Sequence, residues 1–525
     1  MLNSPLLTSI CLPACTTVFL VFAIERFLAP GTLNFWRRSW GANALHAGLC
    51  ILAFTLGLAV FRRPYFAGLI VVAFFLFLVL VNNAKFHSLR EPFIFQDFDY
   101  FLDAIKHPRL YLPFFGLCRA VVVAVGGMLA FWAGIQLELA ITSQHPVAQF
   151  MVWLTGLASC GGTFLIIGCW QGQKMSLAPE SDLLKNGMLT CLFHYYWSER
   201  NPQNINKLCK DSSIFNSDNC NWGPTAELPN LMVVQSESFF DARPLFQGIR
   251  PDVLKEFDAI QAAASLSGKL SVPAWGANTV RTEFAFLSAL SESQTGIHRF
   301  NPYRKLVKEN FPTIASYLKH LGYRTVCVHP YPASFYQRDR VFSLMGFDEF
   351  IDIASFDETI LNNHASSYVS DADVAEKVCE LLNESSSGPI FIFVITMENH
   401  GPLHLEKVLP GEIRLLYTEP PPDKCEDLTI YLRHLVNADQ MARTLREHVA
   451  SLARPGWFCW YGDHVPIMPQ VYQEFGSPDS QTDYFIVGPK SEEVKKLNVC
   501  AYELSAHLIR LMRFGVSQEN GKTKA

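Results

Sequence analysis

Charged residues are scarce in this chain: they make up 17% of its 525 residues, against about a quarter in ordinary soluble domains. With half the residues apolar, the scarcity excludes a disordered protein, which combines low hydrophobicity with high net charge. A formal net charge of −5 excludes the basic footprint of a nucleic-acid binder. Paired-cysteine motifs are missing too. Fourteen cysteines contain no C-x-x-C pair, so zinc-finger and thioredoxin-type readings fail.

The missing charge is concentrated in one place. Residues 1–170 hold ten Lys and Arg and six Asp and Glu, whereas the remaining 355 residues hold 33 and 42. Five runs without any charged residue lie near Pro5–Ile24, Gly41–Phe61, Pro64–Ala84, Ala120–Leu137 and Val147–Trp170. About 20 apolar residues span a bilayer core as a helix, and five such runs exclude a lone signal peptide. The reading is a five-span membrane domain over residues 1–170, followed by a soluble domain large enough for its own core.

The connectors carry two further signals. Trp36 and Trp40 with Arg37 and Arg38 have the composition of interfacial anchors. In Glu91–Leu110, Phe98, Phe101, Leu102 and Ile105 recur at helical spacing among Asp97, Asp99 and Asp103, the pattern of either an interfacial amphipathic helix or a plain loop helix. A cytoplasmic N-terminus and five spans would put the C-terminal domain outside. The loops left inside would then carry only Arg62 and Arg63, so loop charge favours the opposite orientation.

Residues 171–223 are polar and turn-rich and read as a linker along the membrane surface. Cys209 and Cys220 lie within it, as a disulfide or as two free thiols. Beyond it, strand patterns at Asn230–Val234, Thr325–His329, Ile390–Thr396, Trp457–Tyr461 and Tyr484–Val487 alternate with helical patterns. The helical patterns are Asp252–Ala264, Thr279–Leu290, Phe311–Leu321, Asp371–Leu382, Asp427–Ala453 and Tyr502–Met512. Such alternation predicts an α/β domain with a mostly parallel sheet, spanning residues 224–515, with 516–525 as a flexible tail.

Ligands of open parallel sheets collect at the carboxyl ends of the strands. Three predicted strand ends carry polar chemistry: Gln235-Ser236-Glu237-Ser238, Met397-Glu398-Asn399-His400-Gly401-Pro402, and Gly462-Asp463-His464. A fourth segment, Gly276-Ala277-Asn278-Thr279, opens a helix. Singly, each has an ordinary explanation: Glu237 as a helix cap, Asp463 in a turn, Thr279 as an N-cap. Together Glu237, Asp463, His464 and Thr279 supply O, O, N and O donors, a set suited to Zn²⁺ or Mn²⁺. A hydroxyl at a helix N-terminus also lies where backbone N–H groups favour phosphate. Metal coordination would activate that hydroxyl as a nucleophile.

Five segments, in order, resemble the lipoteichoic acid synthase family of membrane-anchored phosphoglycerol transferases, within the alkaline phosphatase/sulfatase superfamily. They are Asn230–Phe240 (NLMVVQSESFF), Gly276–Phe284 (GANTVRTEF), His329–Asp352, Met397–Pro402 (MENHGP) and Tyr461–His464 (YGDH). The resemblance covers about Glu227–Gly488. It implies an alkaline-phosphatase/sulfatase-like fold, Thr279 as nucleophile, and one metal held by Glu237, Thr279, Asp463 and His464. It also implies His400 as a phosphate contact or acid/base, and Arg338 as headgroup ligand. The partner aromatic is Tyr336, where the family usually has Trp. The implied donor is a phospholipid such as phosphatidylglycerol, and the implied acceptor is an envelope glycan, glycolipid or polymer, which would place the domain outside the cytoplasmic membrane.

The sequence bears on four rival readings. Sulfatase activity needs a C/S-x-P-x-R motif; Cys11-Leu12-Pro13 lacks the Arg and Cys327-Val328-His329-Pro330 has the wrong spacing. Phosphoethanolamine transferases share the metal-site residues but flank the nucleophile with cysteines that GANTVRTEF lacks. A two-metal hydrolase would have to recruit residues such as His329 and Asp373. A non-catalytic envelope-binding sensor is the alternative from outside enzymology, and retention of all four metal-site residue types speaks against it.

Overall fold

The computed structural model describes residues 4–106, 116–200, 213–215, 228–357, 368–384, 388–489 and 494–522. Cys209 and Cys220 lie outside the described residues. The chain divides into two compact units, Met1–Asn201 and Pro202–Ala525.

The first unit contains the helices α1 (Ser4–Ile24), α2 (Trp40–Phe61), α3 (Pro64–Leu89), α4 (Leu117–Leu137) and α5 (Val147–Trp170). Five segments are long and apolar enough to cross a membrane, at Ser9–Phe27, Trp40–Phe61, Pro64–Leu89, Ala124–Ser143 and Val147–Trp170. They match the five charge-free runs to within a few residues. Helices α2 and α5 approach closely because small residues face each other: a Cβ on Gly48 would lie 2.9 Å from the Gly161 carbonyl oxygen. In lipid, where apolar burial gives no net drive, such close backbone packing is a main source of association.

The polar linker expected from Gln171 onward is structured at its start. Residues 179–200 form α6 (Pro179–Asn186) and α7 (Met188–Arg200), and Leu183, Met188 and Leu192 share a core with Val21, Leu28 and Phe75. Three apolar residues on two short helices were enough to dock them, a signal that the polar average of the segment concealed. The segment after α3 forms short helices at Phe95–Tyr100 and Phe101–Lys106. Phe95, Phe98 and Phe101 pack against that same core, which favours the loop-helix reading over an interfacial one.

The second unit is built on a sheet of nine strands: β1 (Asn230–Ser236), β2 (Leu266–Ser271), β3 (Arg324–Val328), β4 (Glu349–Ile351), β5 (Ile390–Ile395), β6 (Gly456–Gly462), β7 (Gln481–Val487), β8 (Lys495–Lys496) and β9 (Val499–Cys500). Their order is β4-β3-β5-β1-β6-β7-β2-β8, with β9 also beside β2. The block β4-β3-β5-β1-β6 is parallel, whereas β7 runs antiparallel to both β6 and β2. The central parallel strands β5, β1 and β6 are buried on both faces, as inner parallel strands are. Along β1, Met232 and Val234 enter one core while Leu231 and Val233 enter the other. Helices α8 (Lys255–Ala262), α9 (Thr279–Ser288), α10 (Asp371–Glu384), α11 (Glu426–Ser451) and α12 (Ala501–Lys522) belong to this unit. The predicted tail starting at 516 is helical as far as Lys522, because α12 continues through Gln518 and Glu519, both tolerant of helix.

Candidate active site

Register explains why residues far apart in sequence meet. Ser236 of β1 pairs with Gly462 of β6, so Glu237 and Asp463 leave two parallel neighbours at the same level. The glycine in Gly462-Asp463-His464 is required by a close approach: a Cβ there would lie 1.9 Å from the Phe239 carbonyl oxygen. Past these ends, Ser238 adopts a left-handed turn (φ 52°). Its N–H donates to Asp463 Oδ1 at 2.8 Å, and its hydroxyl donates to Glu237 Oε1 at 3.0 Å. The Glu237 N–H is held by Thr396 Oγ1 at 3.0 Å, from the end of β5.

Glu237, Asp463 and His464 are all buried and offer ligand atoms within 4.8 Å of one another. His464 Nε2 lies 3.4 Å from both Glu237 Oε1 and Asp463 Oδ2. The other ring nitrogen, Nδ1, lies 3.1 Å from the Val465 carbonyl. That carbonyl can only accept, so it takes the Nδ1 proton and turns an Nε2 lone pair toward the two carboxylates, the orientation common to metal-binding histidines. Asp463 Oδ2 has no hydrogen-bond partner although it is buried. Burial and the Asp463 charge push the Glu237 pKa well above the carboxylate range. Two buried carboxylates, an imidazole lone pair and an unpartnered oxygen make a set that a divalent cation satisfies.

Thr279 is the first residue of α9, after Gly276 and Asn278 in left-handed conformations (φ 68° and 65°). Hydrogen bonds to the Asp463-His464-Val465 segment hold it from both sides. The Gly276 N–H donates to the Val465 carbonyl at 3.1 Å, and the Thr282 hydroxyl donates to the Asp463 carbonyl at 2.8 Å. The start of α9 is thereby fixed to the strand end that carries Asp463 and His464.

His400 follows β5, and its Nδ1 sits 2.6 Å from the Gly401 carbonyl and 3.3 Å from the Tyr368 hydroxyl. Burial lowers its pKa, against the opposing pull of the Gly401 carbonyl and the Asp463 charge. The imidazole is therefore neutral near pH 7, with Nδ1 as donor and Nε2 able to accept a proton.

Arg338 is buried, and its partner was missed by sequence reasoning. Its Nε and Nη2 make a fork to Glu283 at 3.1 and 2.8 Å, and Nη1 contacts His329 Nε2 at 3.2 Å. Tyr303 also donates to Glu283. Of the five guanidinium N–H groups, two on the terminal nitrogens are left for a further ligand. The guanidinium lies 5.2 Å from the Tyr336 ring centre, and Tyr336 and Gln337 both have positive φ (55° and 60°). Glu283 stood within the quoted GANTVRTEF segment; only its role was invisible. His329 and Asp373, the residues a second metal would recruit, point to other partners. His329 bonds the Ile395 carbonyl besides Arg338, and Asp373 accepts from Ser370.

A family model for sulfatases matches residues 229–508. Among curated sequences, the capsular polysaccharide biosynthesis protein RkpI of Rhizobium meliloti is 28% identical over 448 residues, 82% of this chain and 78% of that protein. A putative cyclic beta-1,2-glucan modification protein of the same organism is 24% identical over 249 residues, 47% of this chain and 37% of that protein. Among solved structures, the integral membrane lipooligosaccharide phosphoethanolamine transferase A of Neisseria meningitidis aligns with a TM-score of 0.55 at 13% identity, over 96% of this chain and 95% of that one. The Streptococcus pyogenes phosphoglycerol transferase GacH aligns with a TM-score of 0.46 at 23% identity, over 60% and 81%.

Proposed function

The chain belongs to the sulfatase family, and we propose that it is a membrane-anchored, metal-dependent phosphotransferase that moves a phosphoglycerol headgroup from a phospholipid to an envelope polysaccharide. One observation carries the reading: the buried Glu237–Asp463–His464 set and the start of α9, which bears Thr279, are bonded to the same strand end. The family name describes the fold. The C/S-x-P-x-R sequence that sulfatase activity requires is absent here.

In this proposal Glu237, Asp463, His464 and the Thr279 oxygen would hold one Mn²⁺ or Zn²⁺, whose charge would lower the pKa of the threonine hydroxyl and stabilise negative charge on the phosphoryl oxygens. Thr279 attacks the lipid phosphorus, its hydroxyl proton passing through Nε2 of His400 to the diacylglycerol oxygen, which leaves as the alcohol. A phospho-threonine remains. An acceptor hydroxyl then attacks that phosphorus and gives its proton to Nε2 of His400, which returns it to the Thr279 oxygen as the P–O bond to threonine breaks. The free N–H groups of Arg338 and the ring of Tyr336 bind the headgroup. A polysaccharide acceptor is supported by the names of the two rhizobial relatives, and such acceptors lie outside the cytoplasmic membrane. In this reading the second unit lies outside as well, against the loop charges.

Phosphoethanolamine transfer is the second reading, favoured by the whole-length likeness to a phosphoethanolamine transferase fold. Both readings are tested by incubating full-length protein with headgroup-labelled phosphatidylglycerol or phosphatidylethanolamine and the polysaccharide fraction. Transfer from phosphatidylglycerol alone is expected. In Thr279→Ala it falls about a thousandfold or more, as for loss of a covalent nucleophile, and no labelled protein accumulates. Undiminished transfer by that variant would refute the covalent mechanism. Transfer from phosphatidylethanolamine alone would replace the headgroup, and no transfer from any lipid would revive the sensor reading.

A further inference from the structure

The membrane-spanning unit contains a cavity that the proposed reaction does not use. It has a volume of about 650 Å³ and lies between α1, α2, α5 and the connector after α1, a volume within the range of small-molecule sites. Small side chains create it. Ala14 and Ala23 on α1, Ala47 on α2 and Cys160 on α5 stand where larger residues would close the helices together. The lining runs along α1 from Cys11 to Ala23 at alternating steps of three and one and on to Arg26 in the turn that follows, a continuous stripe about 22 Å long at 1.5 Å per residue. That stripe has about the length of an acyl chain.

One end of the channel is different in kind. Arg26 and Trp36 line it there, both are exposed, and Trp36 has the interfacial character already noted. The neighbouring charges are already spoken for. Glu25 is buried and pairs with Arg38 at 2.5 Å, and it also accepts the Met188 N–H at 2.7 Å. Arg38 further donates to the Leu33 carbonyl and the Thr32 hydroxyl. Among the described residues Arg26 makes no ion pair, so its positive charge at the channel mouth is uncompensated.

We propose that this channel is a binding site for one anionic phospholipid, with an acyl chain along α1 between α2 and α5 and the phosphate on Arg26. An apolar channel at hydrocarbon depth excludes water-soluble ligands, and the uncompensated arginine at headgroup level selects negative charge. The site lies wholly within the first unit, is separate from the metal centre, and rests on the membrane reading rather than on the transferase reading.

The test uses full-length protein in mild detergent, offered phosphatidylglycerol and phosphatidylcholine of identical chains in equal amounts, with bound lipid counted by native mass spectrometry. One phosphatidylglycerol is expected, preferred at least fivefold. Arg26→Gln should remove the preference, and Ala47→Phe, which fills the channel, should remove the lipid. Thr279→Ala should retain it; loss there would assign the lipid to the catalytic unit and overturn the proposal. A second measurement leaves the channel unaltered: a phosphatidylglycerol carrying a photoreactive acyl chain should crosslink to peptides of α1 and α5. Excess phosphatidylglycerol should compete with it and phosphatidylcholine should not. Equal competition by both lipids, or crosslinks elsewhere only, would overturn the proposal even if the variants fail to fold.

Discussion

At the scale of single residues, the site is a balance of buried charges, and two predictions follow its sign. In metal-free protein the Glu237 pKa rises from 4.5 to about 8, because burial and Asp463 oppose its charge. The folded state then holds the proton more tightly than the unfolded one, so stability is greatest below the ordinary carboxylate pKa and is lost as pH rises through about 8. Melting temperatures in a chelator should fall between about pH 5 and pH 9. Added Mn²⁺ or Zn²⁺ should abolish the fall by replacing the proton, and Glu237→Gln should flatten the chelator profile. A flat wild-type profile would contradict the electrostatic account. The second prediction concerns Glu283, which leaves Arg338 buried without its counter-charge when neutralised. Removing one partner of a buried pair costs about 3–5 kcal/mol, so Glu283→Gln should lower the melting temperature by several degrees and weaken headgroup binding. An unchanged melting temperature would mean the pair is dispensable. Glu237, Asp463 and His464 were legible as candidates because their residue types suit metal chemistry, and the fold brings the three together. Glu283 was not, because a buried Glu–Arg fork depends on two segments meeting and leaves no mark at either one.

Among elements, the decisive object is α9. Its start is bonded to the end of β6 through Thr282 and Gly276. Thr282→Val keeps size and apolar burial but deletes the hydroxyl. The Asp463 carbonyl is then left unpartnered, at a cost of about 1–3 kcal/mol. Transfer should drop while metal content stays the same, and a parallel loss of metal would instead show that the bond shapes the ligand set itself. The long elements were readable from periodicity: α11 spans Glu426–Ser451 where Asp427–Ala453 was expected, and β1, β3, β5, β6 and β7 all lie on predicted runs. The misses share a cause. Strand β2 (LSGKLS) has too few β-branched or aromatic residues to announce itself, and is a strand because β7 and the short strands beside it supply its ladder. Helices α6 and α7 are short, and docking against the membrane helices decides them rather than propensity.

At the scale of the whole molecule, two arguments bear on which side of the membrane the second unit occupies. The substrate argument puts it outside and the loop charges put it inside. Ser477 is exposed and follows the helix Pro469–Phe475 near the end of the catalytic segment. In a Ser477→Cys chain, a membrane-impermeant maleimide should label this position in intact cells; labelling only after the cells are opened would sink the proposed donor and acceptor together. The amino-acid sequence alone determined the division into a charge-poor membrane part and a charged domain. It also determined the five spans, the α/β alternation and the residue types of the metal set, because hydrophobic periodicity and composition are local properties. Tertiary structure decided what contact alone can decide. The pairing of Ser236 with Gly462 brings Glu237 level with Asp463, and Glu283 closes on Arg338. Small residues on three helices leave a cavity with Arg26, which makes no ion pair among the described residues, at its mouth. Each of these depends on segments tens or hundreds of residues apart, and their meeting is set by sheet register and close packing, which no single stretch of chain encodes.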